Sequence, residues 1–454
     1  MPPTQTPNAG ALLETAIASA ALTQLNHVAI YPRVATRDYE LGAFARGNVV
    51  RIRRPKRRRA VDLDPRTGGF NFTEAEFFSG EVKLERLWTD GFLMYGHDSQ
   101  QTMALYLAET ASQISDAIIT PNDEYLYTKF RDWSPFASVL STGAYALGDT
   151  PPFNISFCIK DDGTLTEFNN EGLRGASVFL DKENAGNDRY AVISSSAKGA
   201  FLGDSIAIEG SKVEAEKDPL SQLIIAGIRQ GQFVERYGFR LAGSNTVGGQ
   251  TGTPDLDTVA GIQGTLPISA SAANTQLSYA DFSSTYGVGS LIGAVDITLT
   301  AGTALPPSIA VGKIARLAPG TPNKSNVFYG VILRVNLTTP TAPIVTMVPY
   351  KWNGQKIPAT GIIPGTYVFS VPDIPSVNTV NTTEGLLMAN RFLREPRLGS
   401  GAVAASIRDP QTNNVIQVFT GNYDLGTVSE KNAAYMLTGA KISDCRKTGL
   451  ILSL

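Results

Sequence analysis

Gly47-Asn-Val-Val-Arg-Ile-Arg-Arg-Pro-Lys-Arg-Arg-Arg59 is the stretch on which the reading of this chain turns. Its first seven residues read as a strand, with Val49, Arg51 and Arg53 in one alternation, and Glu81-Val-Lys-Leu-Glu-Arg-Leu87 reads as a second. Between them stand Pro55, Pro65 and Gly68-Gly69, all strand breakers. The simplest assembly is a long hairpin with an extended loop. Its arms differ in sign: residues 46–66 hold nine Arg/Lys and two Asp, whereas residues 74–90 hold five Asp/Glu and two Lys/Arg. A projecting hairpin of this kind suits head-to-tail packing between copies of the chain, because opposite charge fixes register and orientation. The expected contacts are Arg51, Arg53, Arg54, Arg57, Arg58 and Arg59 against Glu74, Glu76, Glu81 or Glu85 of a neighbour. Two other readings compete. The basic run could contact nucleic acid with Phe70, Phe72, Phe77 and Phe78 stacking bases, or be a plain solvated loop. The acidic second arm favours self-association.

Outward from the hairpin, the charge pattern is uneven. Residues 37–90 carry 21 charges in 54 positions, yet Leu241 to Gly312 has no Lys, Arg or His and only four Asp. Across all 454 residues the charged fraction is 18%, against about 25% in an average soluble domain. The length corresponds to roughly two to four structural units. Two histidines cannot furnish a multi-histidine zinc site, and two cysteines cannot make a disulfide framework or a four-cysteine metal site. A net charge of −2 excludes a generally basic DNA-coating protein, so nucleic-acid contact must be local. Residues 1–10 read as a polar arm without a secretory signal. Residues 15–32, with Gln24, Asn26 and His27, fit a membrane span poorly. A soluble protein from a reducing compartment is expected, with Cys158 and Cys445 as buried apolar residues.

Periodicity places the other elements. Leu13, Ile17, Ala20, Ala21 and Leu25 predict a helix over 10–25. Asp98 as N-cap, with Met103, Leu107, Ala111, Ile114 and Ile118 as one stripe, predicts a helix ended by Thr120-Pro121. A second short helix follows over 122–131, and 134–157 reads as loop. Residues 160–240 read as mixed α/β, with helices near 170–182, 195–202 and 218–228, a strand at Arg189–Ser194, and Gly231–Leu241. Ile297–Thr300, Val327–Val335 and Ile344–Val348 are β-rich and predict a small β-domain over about 255–375. Val415–Thr420 reads as a strand, and Asn432–Ser453 closes the chain.

Motifs that carry chemistry are missing. There is no Walker A sequence, no G-x-G-x-x-G between strand and helix, no G-x-S-x-G and no H-E-x-x-H. His27 and His97 read as packing or capping residues. Asp62/Asp64, Asp255/Asp257 and Asp161-Asp162-Gly163 read as turns. No catalytic residue, cofactor or metal is expected.

The order of these segments resembles the major capsid proteins of tailed bacteriophages with the Hong Kong 97-type fold. More narrowly, it resembles coat proteins of short-tailed phages with an inserted β-domain. Three stretches carry the likeness. The first is Val34-Ala-Thr-Arg-Asp-Tyr-Glu40 followed by Gly47–Pro55. The second is Asp188–Ser194 with Gly231–Asn245, through Gly238-Phe239 and Ser244-Asn245. The third is Val415–Lys441, through Gly421-Asn-Tyr-Asp424 and Gly439-Ala-Lys441. The resemblance implies an α+β chain. Its parts would be an N-terminal arm (1–45), an E-loop hairpin (46–87) and a peripheral domain with a spine helix (88–159). An axial domain would begin at 160–254 and return, with peripheral closing strands, at 376–454. Composition marks 255–375 as the insertion.

The implied function is self-assembly as pentamers and hexamers into an icosahedral head shell enclosing double-stranded DNA. Scaffolding, portal and cement proteins would be partners, DNA contact would be non-specific, and no membrane is involved. The chain would reside in the virion after assembly in the host cytoplasm. Another phage structural part, a tail-tube or decoration protein, would share the β content but lack the spine helix. Some relatives crosslink a loop lysine to a neighbour's asparagine. Here Lys56 is the only lysine of the loop and lies inside the arginine run without a matching asparagine motif, so crosslinking is not expected.

Overall fold

A computed structural model describes residues 30–36, 49–55, 77–95, 103–131, 154–182, 185–208, 234–236, 238–250, 265–267, 275–276, 295–299, 309–337, 342–355, 367–391, 403–408, 415–424, 429–442 and 447–454. The elements begin with α1 (Tyr31–Val34), β1 (Val49–Pro55), β2 (Phe77–Lys83), β3 (Arg86–Tyr95), α2 (Met103–Arg131) and β4 (Asn154–Phe157). Next come α3 (Asn170–Lys182), β5 (Arg189–Ile193), α4 (Ser195–Ile208), β6 (Val234–Arg236) and β7 (Phe239–Gly243). A run of strands follows: β8 (Thr265–Pro267), β9 (Thr275–Gln276), β10 (Val295–Thr298), β11 (Ile314–Pro319), β12 (Phe328–Asn336), β13 (Ile344–Met347) and β14 (Tyr367–Ser370). The last are β15 (Ser376–Thr382), β16 (Leu386–Arg391), β17 (Val403–Arg408), β18 (Val415–Asp424), β19 (Ser429–Ile442) and β20 (Thr448–Ser453). The expected helices at 10–25 and 218–228, the cap at Asp98, and His27, His97, Lys56 and Cys445 lie outside the described residues.

A six-stranded mixed sheet, ordered β4-β20-β15-β5-β7-β6, forms the centre. Period two divides its side chains between two cores. Ala191, Ile193, Val380 and Ile451 face one way and pack with Leu173, Ala176, Phe179 and Leu180 of α3 and with Ala197 and Phe201 of α4. Tyr190, Val192, Val377, Leu450 and Leu452 face the other way. Helix α3 starts where expected because Asn169 caps it: its Oδ1 accepts the N–H groups of Glu171 and Gly172 at 3.0 and 3.3 Å. Helix α4 runs past the expected 202 to Ile208. Central strand β15 is buried along its length although five of its seven residues are Ser, Asn or Thr: Ser376, Asn378, Thr379, Asn381 and Thr382. The side chains of Ser376, Asn378 and Thr379 are spent on internal bonds. Asn378 Oδ1 accepts the Ser194 N–H at 2.8 Å, and its Nδ2 donates to Ser453 Oγ at 3.1 Å.

The second sheet is built on β19. Strand β3 runs antiparallel along one edge, over 429–438, while β18 and β16 share the other edge. Strand β17 completes it beyond β18. Helix α2 packs across β19 and β3. Two expectations are corrected here. The run 81–87 is not one strand: β2 ends at Lys83 in the hairpin, and Arg86 opens β3 in this sheet. Nor does the helix stop at Thr120-Pro121. Helix α2 continues for 29 residues with Pro121 inside it. An interior proline costs about 3 kcal/mol. The turns after it bury Tyr125, Leu126, Tyr127 and Phe130, each worth about 1.5–3 kcal/mol, so burial wins. Ile114 and Ile118 of the expected stripe are buried, and the stripe runs on through Asn122 to Leu126.

The third sheet has seven strands, ordered β8-β14-β11-β12-β13-β10-β9, all drawn from residues 265–370 and all antiparallel. Strand β12 shows how it is placed. Phe328 and Ile332 enter a core internal to this sheet, whereas Tyr329, Val331 and Leu333 join the central core. The Tyr329 ring lies 4.6 Å from that of Phe157 in β4. Where the chain enters and leaves this unit, Gln250 bridges to Ile374, and its side chain exchanges both hydrogen bonds with the backbone of Ile314. Lys324 meets Glu171 of α3 at 2.6 Å.

Candidate functional site

Strands β1 and β2 form a two-stranded sheet that joins no other sheet among the described residues. The register pairs Val49 with Lys83, Arg51 with Glu81, Arg53 with Ser79 and Arg54 with Phe78. Arg51 and Glu81, both expected to meet a neighbouring copy, therefore stand opposite one another in one hairpin, a favourable cross-strand placement. Arg53 and Arg54 have no acidic residue at the facing position. Arg57, Arg58, Arg59, Glu74 and Glu76 lie outside the described residues. A two-stranded hairpin alone is marginal in water, so this one depends on what holds its base and covers its arms.

The base is held firmly. Val82 and Leu84 pack with Leu387 and Ala389 of β16, with Leu437 against them. Gly439 of β19 admits the hairpin's backbone: a Cβ there would fall 2.1 Å from the Lys83 carbonyl oxygen. Beside this contact, Glu85 Oε1 accepts from the Tyr125 hydroxyl at 2.8 Å and from Lys129 Nζ at 2.7 Å. The Tyr125 oxygen accepts the Ala440 N–H at 3.2 Å. Lys129 Nζ and the Arg86 guanidinium lie 4.6 and 5.7 Å from the Tyr125 ring centre, and Trp88 meets that ring edge-on. Partial burial raises the Glu85 carboxyl, but the hydrogen bonds from Lys129 and Tyr125 outweigh it and hold the group below the usual range. Burial, and then Glu85, push the Tyr125 phenol up.

Glu85 is thus engaged within its own chain, with its side chain still half-exposed. Tyr125 and Lys129, which complete the clamp, were not foreseen. They stand four residues apart on one helix face, a spacing already present in the short helix expected over 122–131 but without a sign of what that face meets.

The remaining polar clusters are built for structure. Asp161-Asp162-Gly163 is the expected turn: Asp162 Oδ1 accepts the Thr164 N–H at 2.9 Å, and Gly163 has φ +80°. Ser194, Ser196 and Ser376 hydrogen-bond one another, and Ser194 Oγ caps α4 by accepting the Ala197 N–H. Cys158 is buried, as expected. Among the described residues no three His, Cys, Asp or Glu side chains group as a metal site, and no helix is long and apolar enough to cross a membrane.

No protein-family model and no curated protein matches the sequence. Solved structures similar to the chain are phage capsids. The capsid of the cyanophage P-SCSP1u has a TM-score of 0.42 at 9% identity and covers 94% of this chain and 89% of that one. The capsid of Staphylococcus phage Andhra has a TM-score of 0.37 at 8% identity, with 95% and 86% covered. The capsid of an empty GTA particle has a TM-score of 0.35 at 8% identity, with 94% and 96% covered.

Proposed function

We propose that the chain is the major capsid protein of a tailed bacteriophage, assembling as pentamers and hexamers into the icosahedral shell around double-stranded DNA. The observation that carries this reading is the hairpin β1–β2. It is paired with no other sheet among the described residues, clamped at its root, and charged with opposite sign on its two arms. In this reading it is the E-loop, laid over an adjacent subunit. Helix α2 on the β19 sheet is the spine helix of the peripheral domain. The six-stranded sheet with α3 and α4 is the axial domain, and strands β8–β14 form the inserted β-domain. The chain is a virion component that works by repeated, complementary, individually weak interfaces rather than by an active site. Portal, scaffolding and cement proteins are its further partners, and its contact with packaged DNA is non-specific.

The intersubunit contacts proposed are Arg53, Arg54, Arg57, Arg58 and Arg59 against Glu74, Glu76 or the half-exposed Glu85 of a neighbour, with Arg51 and Glu81 shared between the hairpin's own ladder and that interface. Reversing Arg53, Arg54 and Arg57 to glutamate tests it. Sedimentation is expected to show loss of assembly while circular dichroism shows a folded subunit. Particles formed in normal yield by the variant contradict the pairing.

A further inference from the structure

Residues 30–36 meet the rest of the protein as a short strip, and one carboxyl group holds its leading end. Asp123 lies in α2 two residues after Pro121 and is buried. Its Oδ2 accepts the backbone N–H of Ile30 at 3.1 Å, and the N–H of Tyr31 bonds the same carboxyl. Its Oδ1 is buried with no hydrogen-bond partner.

Among the described residues no cation offsets it. The titratable group facing Asp123 from the strip is Tyr31, itself coupled to Tyr127 one turn further along α2, and burial pushes both phenols up. Arg33 is the only charged residue of the strip and is exposed; Glu124, next along the helix, is exposed too. Strand β15, which meets Tyr31 through Thr379, contains no titratable residue. β19 reaches this part of α2 through Thr438, which donates to Asn122. Burial therefore works against the charged carboxylate and raises the group to about 7, the two backbone N–H groups pulling the other way by less.

We propose that Asp123 is a proton-dependent latch, which in its neutral form holds residues 30–36 against α2 and β15 and on ionisation loosens them. The docked strip binds the proton more tightly than the released strip, in which the carboxyl is hydrated and ordinary. Docking is therefore strongest below the ordinary carboxylate range and weakens as the pH rises through about 7. The strip's other contacts set a baseline that does not titrate there. They are Tyr31 Oη with Thr379 Oγ1 at 2.9 Å, and Thr36 with the backbone of Leu386 and Met388 at 2.8 and 3.2 Å. The inference rests on contacts within one chain and stands apart from the shell reading.

The test is amide hydrogen exchange of the full chain across the range from about pH 5.5 to 8.5, with rates normalised to intrinsic exchange. For a group titrating near 7 when docked and near 4 when free, the opening of residues 30–36 is expected to rise about thirtyfold across that range. Amides of Arg189–Ile193 serve as the internal reference and should not change. Asp123→Asn is expected to flatten the dependence. Constant protection of 30–36 in the native protein, or an equal rise in the variant, overturns the latch. Should the variant fail to fold, the native series decides: a rise confined to 30–36 supports the latch, and one shared with Arg189–Ile193 contradicts it.

Discussion

Gly439 and Tyr31 are the residues where the packing is least forgiving. At Gly439 the hairpin root passes so close that even a methyl group meets the Lys83 carbonyl. Gly439→Ala is expected to cost about 1–3 kcal/mol, read as a shifted urea midpoint at unchanged slope. Tyr31 is buried against Tyr127 and Phe130, with its hydroxyl on Thr379. Tyr31→Phe should cost about 1 kcal/mol for the lost hydrogen bond, and Tyr31→Ala about 3–5 kcal/mol for the emptied site. Equal costs for the two would mean that the ring is not packed as described. Tyr31 does not stand out in the sequence. The partner of Tyr31 is 348 positions away, and a contact of that range leaves no periodic trace.

Elements were legible where their period is local. Strand Arg189–Ile193, helix Asn170–Lys182 and the first arm of the hairpin all follow from spacing within a few residues. Boundaries failed where tertiary packing overrode a local breaker. Pro121 reads as a stop, yet the buried aromatics beyond it keep α2 continuous. Pro121→Ala restores a helical N–H, and the gain, offset in part by a looser unfolded chain, should stabilise the protein by about 1–2 kcal/mol. Destabilisation in thermal melts would mean that the proline ring is itself a required contact. The split of 81–87 into β2 and β3 was hidden for a related reason. Leu84 and Glu85 are not ladder residues but anchors, one in an apolar cluster and the other on Tyr125 and Lys129.

At the scale of the whole molecule, three sheets share one central core, and the joints between them are specific. Gln250 closes the neck of the seven-stranded unit by bonding both the N–H and the C=O of Ile314. Gln250→Ala strands these buried groups and is expected to cost about 2–4 kcal/mol, with residues of β8–β14 becoming more sensitive to limited proteolysis than those of the central sheet. A uniform loss across the chain would place the joint elsewhere. The sequence's charge pattern pointed to the hairpin as the surface that matters. It could not reveal that Glu85 bonds Tyr125 and Lys129 of its own chain, because a carboxylate four residues past Glu81 looks the same whether its partner is a neighbour or its own helix.

The central claim is that this chain builds a shell with copies of itself. Electron microscopy of the purified full-length protein, alone and with a co-expressed scaffolding partner, tests it most directly. The account predicts closed shells or isolated pentamers and hexamers. Narrow tubes, or a protein that stays monomeric under both conditions, would contradict it.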